Sequence, residues 1–227
     1  MNIVNEKVTA YLDNLYRPVN EFLGQLRVDA EEKKVPIILK DTETSILNII
    51  RMKKPRRILE IGTAVGYSAI CFAQVSPEAE IISLEVSEEM YLIATENIEK
   101  CGLTNRIQIK LGDAVEGLRD MKVSIANPES DGFDLVFIDA SKGHYKEFWD
   151  GSIPLCKKDA VILSDNVLFQ ARTVSDEYVT EKRQKTMVRR MREYIQYITN
   201  LDYADTAVLS VGDGIAVSVL RGENEEN

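Results

Sequence analysis

Arg57-Ile-Leu-Glu60-Ile-Gly62-Thr-Ala-Val-Gly66-Tyr-Ser68 runs from a short apolar strand pattern into a glycine-bearing turn and then a helix. Glycines at a strand-to-helix turn let a backbone approach a ligand closely, while the helix N-terminus points amide groups at it. The stretch is not GxGxxG: Ala64 holds the middle position, where a dinucleotide fold needs glycine to admit a pyrophosphate. A second strand pattern ends in Ser83-Leu-Glu85, placing a carboxylate about 20 residues past the first glycine, where it can accept ribose hydroxyls. A third pattern ends at Gly112-Asp113-Ala114, with a carboxylate suited to an adenine amino group. A ligand with a ribose but no pyrophosphate fits, and S-adenosylmethionine is one. The alternative is structural: Gly62 and Gly66 allow tight strand–helix packing, and Glu85 is a surface cap.

Around this loop, short runs at Arg57–Ile61, Ile81–Leu84, Ile107–Leu111, Leu135–Ile138 and Ala160–Leu163 alternate with amphipathic helical segments. That alternation predicts a parallel sheet covered on both faces, a doubly wound α/β fold. Thr206–Val211 and Ile215–Leu220, joined by Gly212-Asp213-Gly214, predict a closing antiparallel hairpin. Residues 1–53 read as helical: Ile3 to Tyr16, then a charged helix from the Arg17-Pro18 break to Lys34. After Val35-Pro36 comes a helix start at Asp41-Thr-Glu-Thr44. Lys122 to Gly132, holding Asn127-Pro128, reads as a loop or short insertion. One domain over 1–227 is expected, with a Rossmann-like core at 57–220 and an acidic, frayed tail at 221–227.

The net charge of −9 disfavours nucleic-acid binding by the molecule as a whole. The cysteines, Cys71, Cys101 and Cys156, are odd in number and lack a CxxC pair, so buried thiols in a reducing compartment are expected. The polar start lacks a signal-peptide layout, and no apolar run approaches the ~20 residues of a membrane helix. A cytoplasmic location is therefore expected, with no membrane partner.

The fourth strand pattern ends in Phe137-Ile-Asp139-Ala-Ser-Lys142 and the fifth in Leu163-Ser-Asp165-Asn166. If the strands are neighbours, two carboxylates and an amide oxygen meet. That set suits a hard ion such as Mg²⁺, whereas one histidine, His144, cannot build a zinc site. Beside such an ion Lys142 becomes a candidate general base. Each has a bland alternative: Asp139 as a helix N-cap, Asp165-Asn166 as a turn, Lys142 as a solvated ammonium, and His144 as a surface or packing residue.

Leu59-Glu-Ile-Gly-Thr-Ala-Val-Gly-Tyr-Ser68, Phe137-Ile-Asp-Ala-Ser-Lys-Gly-His-Tyr145 and Ser164-Asp-Asn-Val-Leu-Phe169 together resemble the cation-dependent class I O-methyltransferases, which include the catechol and caffeoyl-CoA enzymes. The resemblance implies a seven-stranded class I methyltransferase sheet, S-adenosylmethionine and Mg²⁺ as cofactors, and a homodimer. It implies Ile38, Glu60, Gly62, Gly66, Ser68, Glu85, Val86, Asp113, Ala114 and Asp139 at the cofactor. Asp139, Asp165 and Asn166 would be metal ligands, with Asp139 and Lys142 at the reacting hydroxyl. Within the family the chain is most similar to bacterial tRNA 5-hydroxyuridine methyltransferases, through Val35-Pro36-Ile37, Asp165-Asn-Val-Leu-Phe169 and a basic helix after residue 180. Ile38 departs from the usual methionine there. Ala140-Ser141 replaces the His-Trp of the catechol enzyme, which disfavours a catechol acceptor.

That basic helix carries Lys182, Arg183, Lys185, Arg189, Arg190 and Arg192 with no acidic residue from 182 to 192. Lys182, Lys185, Arg189 and Arg192 share one face, opposite Met187, Met191, Tyr194, Ile195 and Ile198. The face is either an RNA phosphate site or a solvated amphipathic surface. Three functions follow: a tRNA-modifying O-methyltransferase, an O-methyltransferase of a small vicinal-oxygen or acyl-CoA-linked phenolic compound, or a non-catalytic nucleotide-binding domain.

Overall fold

The computed structural model describes residues 5–125, 127–179, 181 and 184–222. Three helices open the chain: α1 (Glu6–Leu15), α2 (Glu21–Glu32) and α3 (Lys40–Lys53). The alternating part follows as β1 (Arg57–Ile61), α4 (Tyr67–Val75), β2 (Glu80–Glu85), α5 (Glu88–Lys100), β3 (Ile107–Leu111) and α6 (Ala114–Ser124). It continues through α7 (Pro128–Asp131), β4 (Phe133–Ile138), α8 (Tyr145–Ser152), β5 (Cys156–Ser164) and α9 (Gln184–Ile198). The hairpin β6 (Ala204–Leu209) and β7 (Ile215–Leu220) closes the fold.

The strands form one seven-stranded sheet in the order β3-β2-β1-β4-β5-β7-β6. β1 to β5 run parallel, and β7 is antiparallel to both β5 and β6. The order reverses between β1 and β4, and ligands of open α/β sheets bind at the carboxyl ends of strands at such a point. The pleat splits the core in two. Ile58, Leu135, Phe137 and Leu163 pack under α2 to α5, while Leu59, Val136, Ile138 and Ile162 pack under α6, α8 and α9.

Several expectations shift, among them the starts of β4 and β5, which lie two and four residues before Leu135 and Ala160. The expected loop over Lys122–Gly132 contains the end of α6 and a four-residue helix, because Asn127 caps Glu129 N and proline fits the first helical turn. β6 lies two residues earlier than Thr206–Val211, since Val211 accepts from Gly214 N and so belongs to the connection. The connection docks on the segment after β5: Val167 N and Leu168 N donate to Gly214 O and Asp213 O, and Gln170 N to the Asp213 carboxylate. Of the opening helix, Ile3 and Val4 lie outside the described residues, as does the tail from Glu223 to Asn227. No described helix is long and apolar enough to cross a membrane.

Candidate active site

The carboxyl ends of β1, β2, β3, β4 and β5 surround a cavity of about 480 Å³. The β1–α4 turn forms its floor. Gly62 has φ +99°, and a side chain there would collide with Asp139 O; Gly66, at φ +80°, caps α4 and faces Ala94. Both glycines therefore serve close packing, and only Gly62 reaches the cavity wall. The missing Cβ at Gly62 leaves room for the Asp139 carbonyl just past the end of β4.

Glu85 ends β2 and organises the turn. Its Oε2 accepts from Thr63 N (3.1 Å) and Ala64 N (2.8 Å), and Oε1 from Ser87 N (2.8 Å). Val86 beside it leaves 73% of its surface exposed along the wall. Asp113 caps α6 through Val115 N and Glu116 N, and lines the cavity together with Ala114. Ile38 and Ser68 complete the expected lining.

Glu60 does not line it. The pleat turns its side chain under α4, where Ser68 and Ser83 both donate hydroxyl hydrogen bonds to it. Burial, the largest effect, pushes its carboxyl up to about 8 against the lowering effect of those two bonds. Glu60 and Gly66 thus stand behind the wall, the former meeting the cavity through Ser68.

Asp139 and Asp165 follow neighbouring strands, paired at Ile138↔Ser164, and Asp165 N donates to Ile138 O. Asp165 is fully buried; Oδ1 accepts from Asn166 N at 2.7 Å, whereas Oδ2 has no hydrogen-bond partner. Burial raises both aspartate carboxyls, Asp165 further by the charge of Asp139. Lys142 Nζ donates to Asn166 Oδ1 at 2.8 Å. Two crowded carboxylates, one of them with an orphaned buried oxygen, and an amide oxygen are chemically a donor set that fits a hard cation. Among the described residues no three or more His, Cys, Asp and Glu side chains form such a group. His144 sits at the rim, exposed, against Glu147 at 2.6 Å.

The profile of a family described as O-methyltransferase matches residues 16–221. The chain belongs to this O-methyltransferase family. A catechol O-methyltransferase from Niastella koreensis is 28% identical over 225 residues, which is 97% of this chain and 99% of that protein. A Staphylococcus aureus structure, provisionally described as a caffeoyl-CoA O-methyltransferase, superposes with TM-score 0.87 at 30% identity over 95% of this chain and 100% of the other. An O-methyltransferase from Bacillus cereus, solved with SAH, gives TM-score 0.78 at 25% identity over 95% and 97% of the two chains.

In this O-methyltransferase the basic helix is not the uniform face its spacing suggested. Lys182 and Arg183 lie outside the described residues. Val188, Met191, Tyr194 and Ile198 form the buried stripe of α9, with Met187 and Ile195 only half-buried. Lys185 and Arg189 face solvent, the latter beside Glu193 at 2.9 Å. Arg190 donates to Gly143 O, and Arg192 is taken up by Arg172 O, Thr173 O and Asp176. A helical wheel places charges on a face but carries no information on which loop folds against them.

The sequence reading also missed wall residues without a charge or a glycine to mark them: Pro36, Ile37, Tyr67 and Phe148. The signal for Tyr67 lay in Arg27 and Glu43, which share a buried cluster with it. Arg27 donates to Glu43, to Tyr67 Oη (3.2 Å) and to Ile38 O (2.8 Å). Cys71 and Cys156 are buried and Cys101 half-buried, all free, and burial raises each thiol.

Proposed function

We propose that the protein transfers a methyl group from S-adenosylmethionine, with a divalent cation such as Mg²⁺, to a hydroxyl that has a second oxygen beside it. The observation that carries this reading is the unpartnered, fully buried Asp165 Oδ2 behind Asp139 and Asn166, which line a cavity bounded by Glu85 and Asp113. Ile38, Gly62, Ser68, Glu85, Val86, Asp113 and Ala114 would hold the methyl donor, with Glu60 and Gly66 supporting them from behind. Asp139, Asp165 and Asn166 would hold the ion, whose chemistry is to acidify and orient adjacent oxygens. Lys142, once it has given up its own proton, would accept the acceptor's proton at Nζ, and Asp139 would help to hold the hydroxyl in line with the methyl group.

For the acceptor we propose 5-hydroxyuridine in tRNA, converted to 5-methoxyuridine in the cytoplasm. Its hydroxyl and C4 carbonyl supply the vicinal oxygens. The support is the resemblance stated above together with exposed Lys185 and Arg189 on an otherwise acidic chain. A small catechol-like or acyl-CoA-linked phenol is the second reading. The names of the relatives favour it, as does the engagement of Arg190 and Arg192 with carbonyls of the neighbouring loops. A homodimer belongs to the same proposal, and α1 leaves Val8, Tyr11, Leu12 and Leu15 exposed along one stripe.

The test is methyl transfer from labelled S-adenosylmethionine to hypomodified tRNA and to 3,4-dihydroxybenzoate, each with Mg²⁺ and with EDTA. Metal-dependent labelling of tRNA alone supports the first reading, and labelling of the catechol alone the second. Labelling unaffected by EDTA removes the metal from the scheme, and no labelling leaves a nucleotide-binding domain.

A further inference from the structure

Two arginines of α9 reach back to the two loops that carry Lys142 and Asn166. Arg190 Nη1 donates to Gly143 O at 3.0 Å, one residue beyond Lys142. Arg192 engages the other loop with its whole fork: Nε to Thr173 O at 2.9 Å, Nη2 to Arg172 O at 3.0 Å and Nη1 to Asp176 at 2.7 Å.

The second loop is one that needs holding. Asn166, Phe169, Gln170 and Ala171 all have left-handed φ, between 47° and 64°, although none is glycine. Such residues persist only where their surroundings over-determine them, and they concentrate at functional sites. The β6–β7 connection braces this loop on one side through Asp213 and Gly214, and Arg192 braces the other. Within it, Phe169 has Lys142 Nζ 5.7 Å and the Arg172 guanidinium 4.9 Å from its ring centroid. The helix that supplies both arginines is itself anchored, with Met191 and Tyr194 buried and Tyr194 Oη 2.6 Å from Ser164 Oγ at the end of β5.

We propose that Arg190 and Arg192 are positioning residues for methyl transfer, holding the Lys142 loop and the Asn166–Thr173 loop in register across the acceptor side of the cavity. The proposal rests on the assignment of Lys142 and Asn166 to the reacting centre. It separates α9 into Lys185 and Arg189, which contact neither loop, and Arg190 and Arg192, whose guanidinium groups already hydrogen-bond to the loops.

The test uses the full chain with Arg190→Gln, Arg192→Gln and Arg192→Lys. Amide hydrogen exchange without cofactor or acceptor should accelerate at residues 142–145 in Arg190→Gln and at 167–175 in both Arg192 variants, leaving β1 and β4 protected. Turnover on whichever acceptor wild type uses should fall on the order of 10–100-fold, since small misplacement of reacting groups has that cost. S-adenosylmethionine affinity should stay within about twofold, because neither arginine touches that half of the cavity. Arg192→Lys keeps the charge but lacks the planar fork, so it should not restore turnover.

Unchanged exchange in both loops overturns the proposal. So does a loss confined to KM for tRNA and rescued by lysine, which marks a phosphate contact, or faster exchange throughout the molecule, which marks a general structural role. If wild type methylates neither acceptor, the reading of the reacting centre fails, while the exchange measurement still decides whether the arginines clamp the loops.

Discussion

Lys142 Nζ and Asn166 Oδ1 lie 2.8 Å apart, a bond between the loops that follow β4 and β5. It holds the Lys142 side chain against Asn166, one of the oxygens proposed above to suit a divalent cation. A cation bound by Asp139, Asp165 and Asn166 would compete with the lysine for that amide oxygen.

On the proposed metal role, Asp165→Ala should abolish methyl transfer and leave S-adenosylmethionine affinity nearly intact, because the ion would act on the acceptor. Isothermal titration with the cofactor, beside a turnover assay, separates the two effects. Retention of full activity by the variant, or by EDTA-treated wild type, removes the metal role.

Glu85→Ala should weaken S-adenosylmethionine binding by about 1–3 kcal/mol through the loss of charge-assisted hydrogen bonds. The structure adds a second component, since the same carboxylate holds the Thr63 and Ala64 amides of the floor. Glu85→Gln keeps an acceptor for the loop and should fall between wild type and alanine. Equal calorimetric affinity of folded Glu85→Ala and wild type would falsify the ribose assignment.

Stability should decline with rising pH because of Glu60. Its folded-state value is raised, to about 8, so the fold prefers the protonated carboxyl. That contribution is fully present below the unfolded value near 4.5 and is lost as pH climbs toward 8. Glu60→Gln imitates the neutral form, so the two melting curves should coincide near pH 4 and separate by at least ~1 kcal/mol by pH 8, the variant being more stable. A constant gap across that range places the carboxyl's titration elsewhere.

Lys185→Ala and Arg189→Ala test RNA binding without disturbing the loop contacts of Arg190 and Arg192. Removing one phosphate-binding side chain should flatten the log–log salt dependence of tRNA affinity by roughly 0.7–0.9. Turnover of a small acceptor should be unaffected. If the double variant binds tRNA with the wild-type salt slope, this face is solvated surface and the small-acceptor reading gains.

The loop from Glu60 to Ser68 and the acidic ends of β2, β3, β4 and β5 were legible because period and punctuation act locally. A strand pattern that stops at a glycine or an aspartate fixes where a side chain leaves the sheet. The adjacency of β4 and β5, which the cluster required, stood in the sequence only as a condition, because alternation predicts a parallel sheet but not its strand order; the pairing of Ile138 with Ser164 meets it. Pro36, Ile37 and Tyr67 were not legible, since a cavity wall made of ordinary apolar and aromatic residues looks like core. Nor were the contacts of Arg190 and Arg192, which depend on a long irregular segment folding back on α9. Glu60 shows the reverse failure: its place in the motif suggested contact, and the pleat put it one layer behind.

The closing hairpin has a consequence for the order in which the two halves of the cavity mature. β1, β2 and β3, with Glu85 and Asp113, come from the first half of the chain and can assemble as it emerges during synthesis. The acceptor half cannot. Until β7 is made, β5 is an unpaired edge, and the strained loop after it has neither Asp213 nor Gly214 to lie on. In a nascent chain the loop that carries Asn166 therefore lacks its support until the closing hairpin has been made.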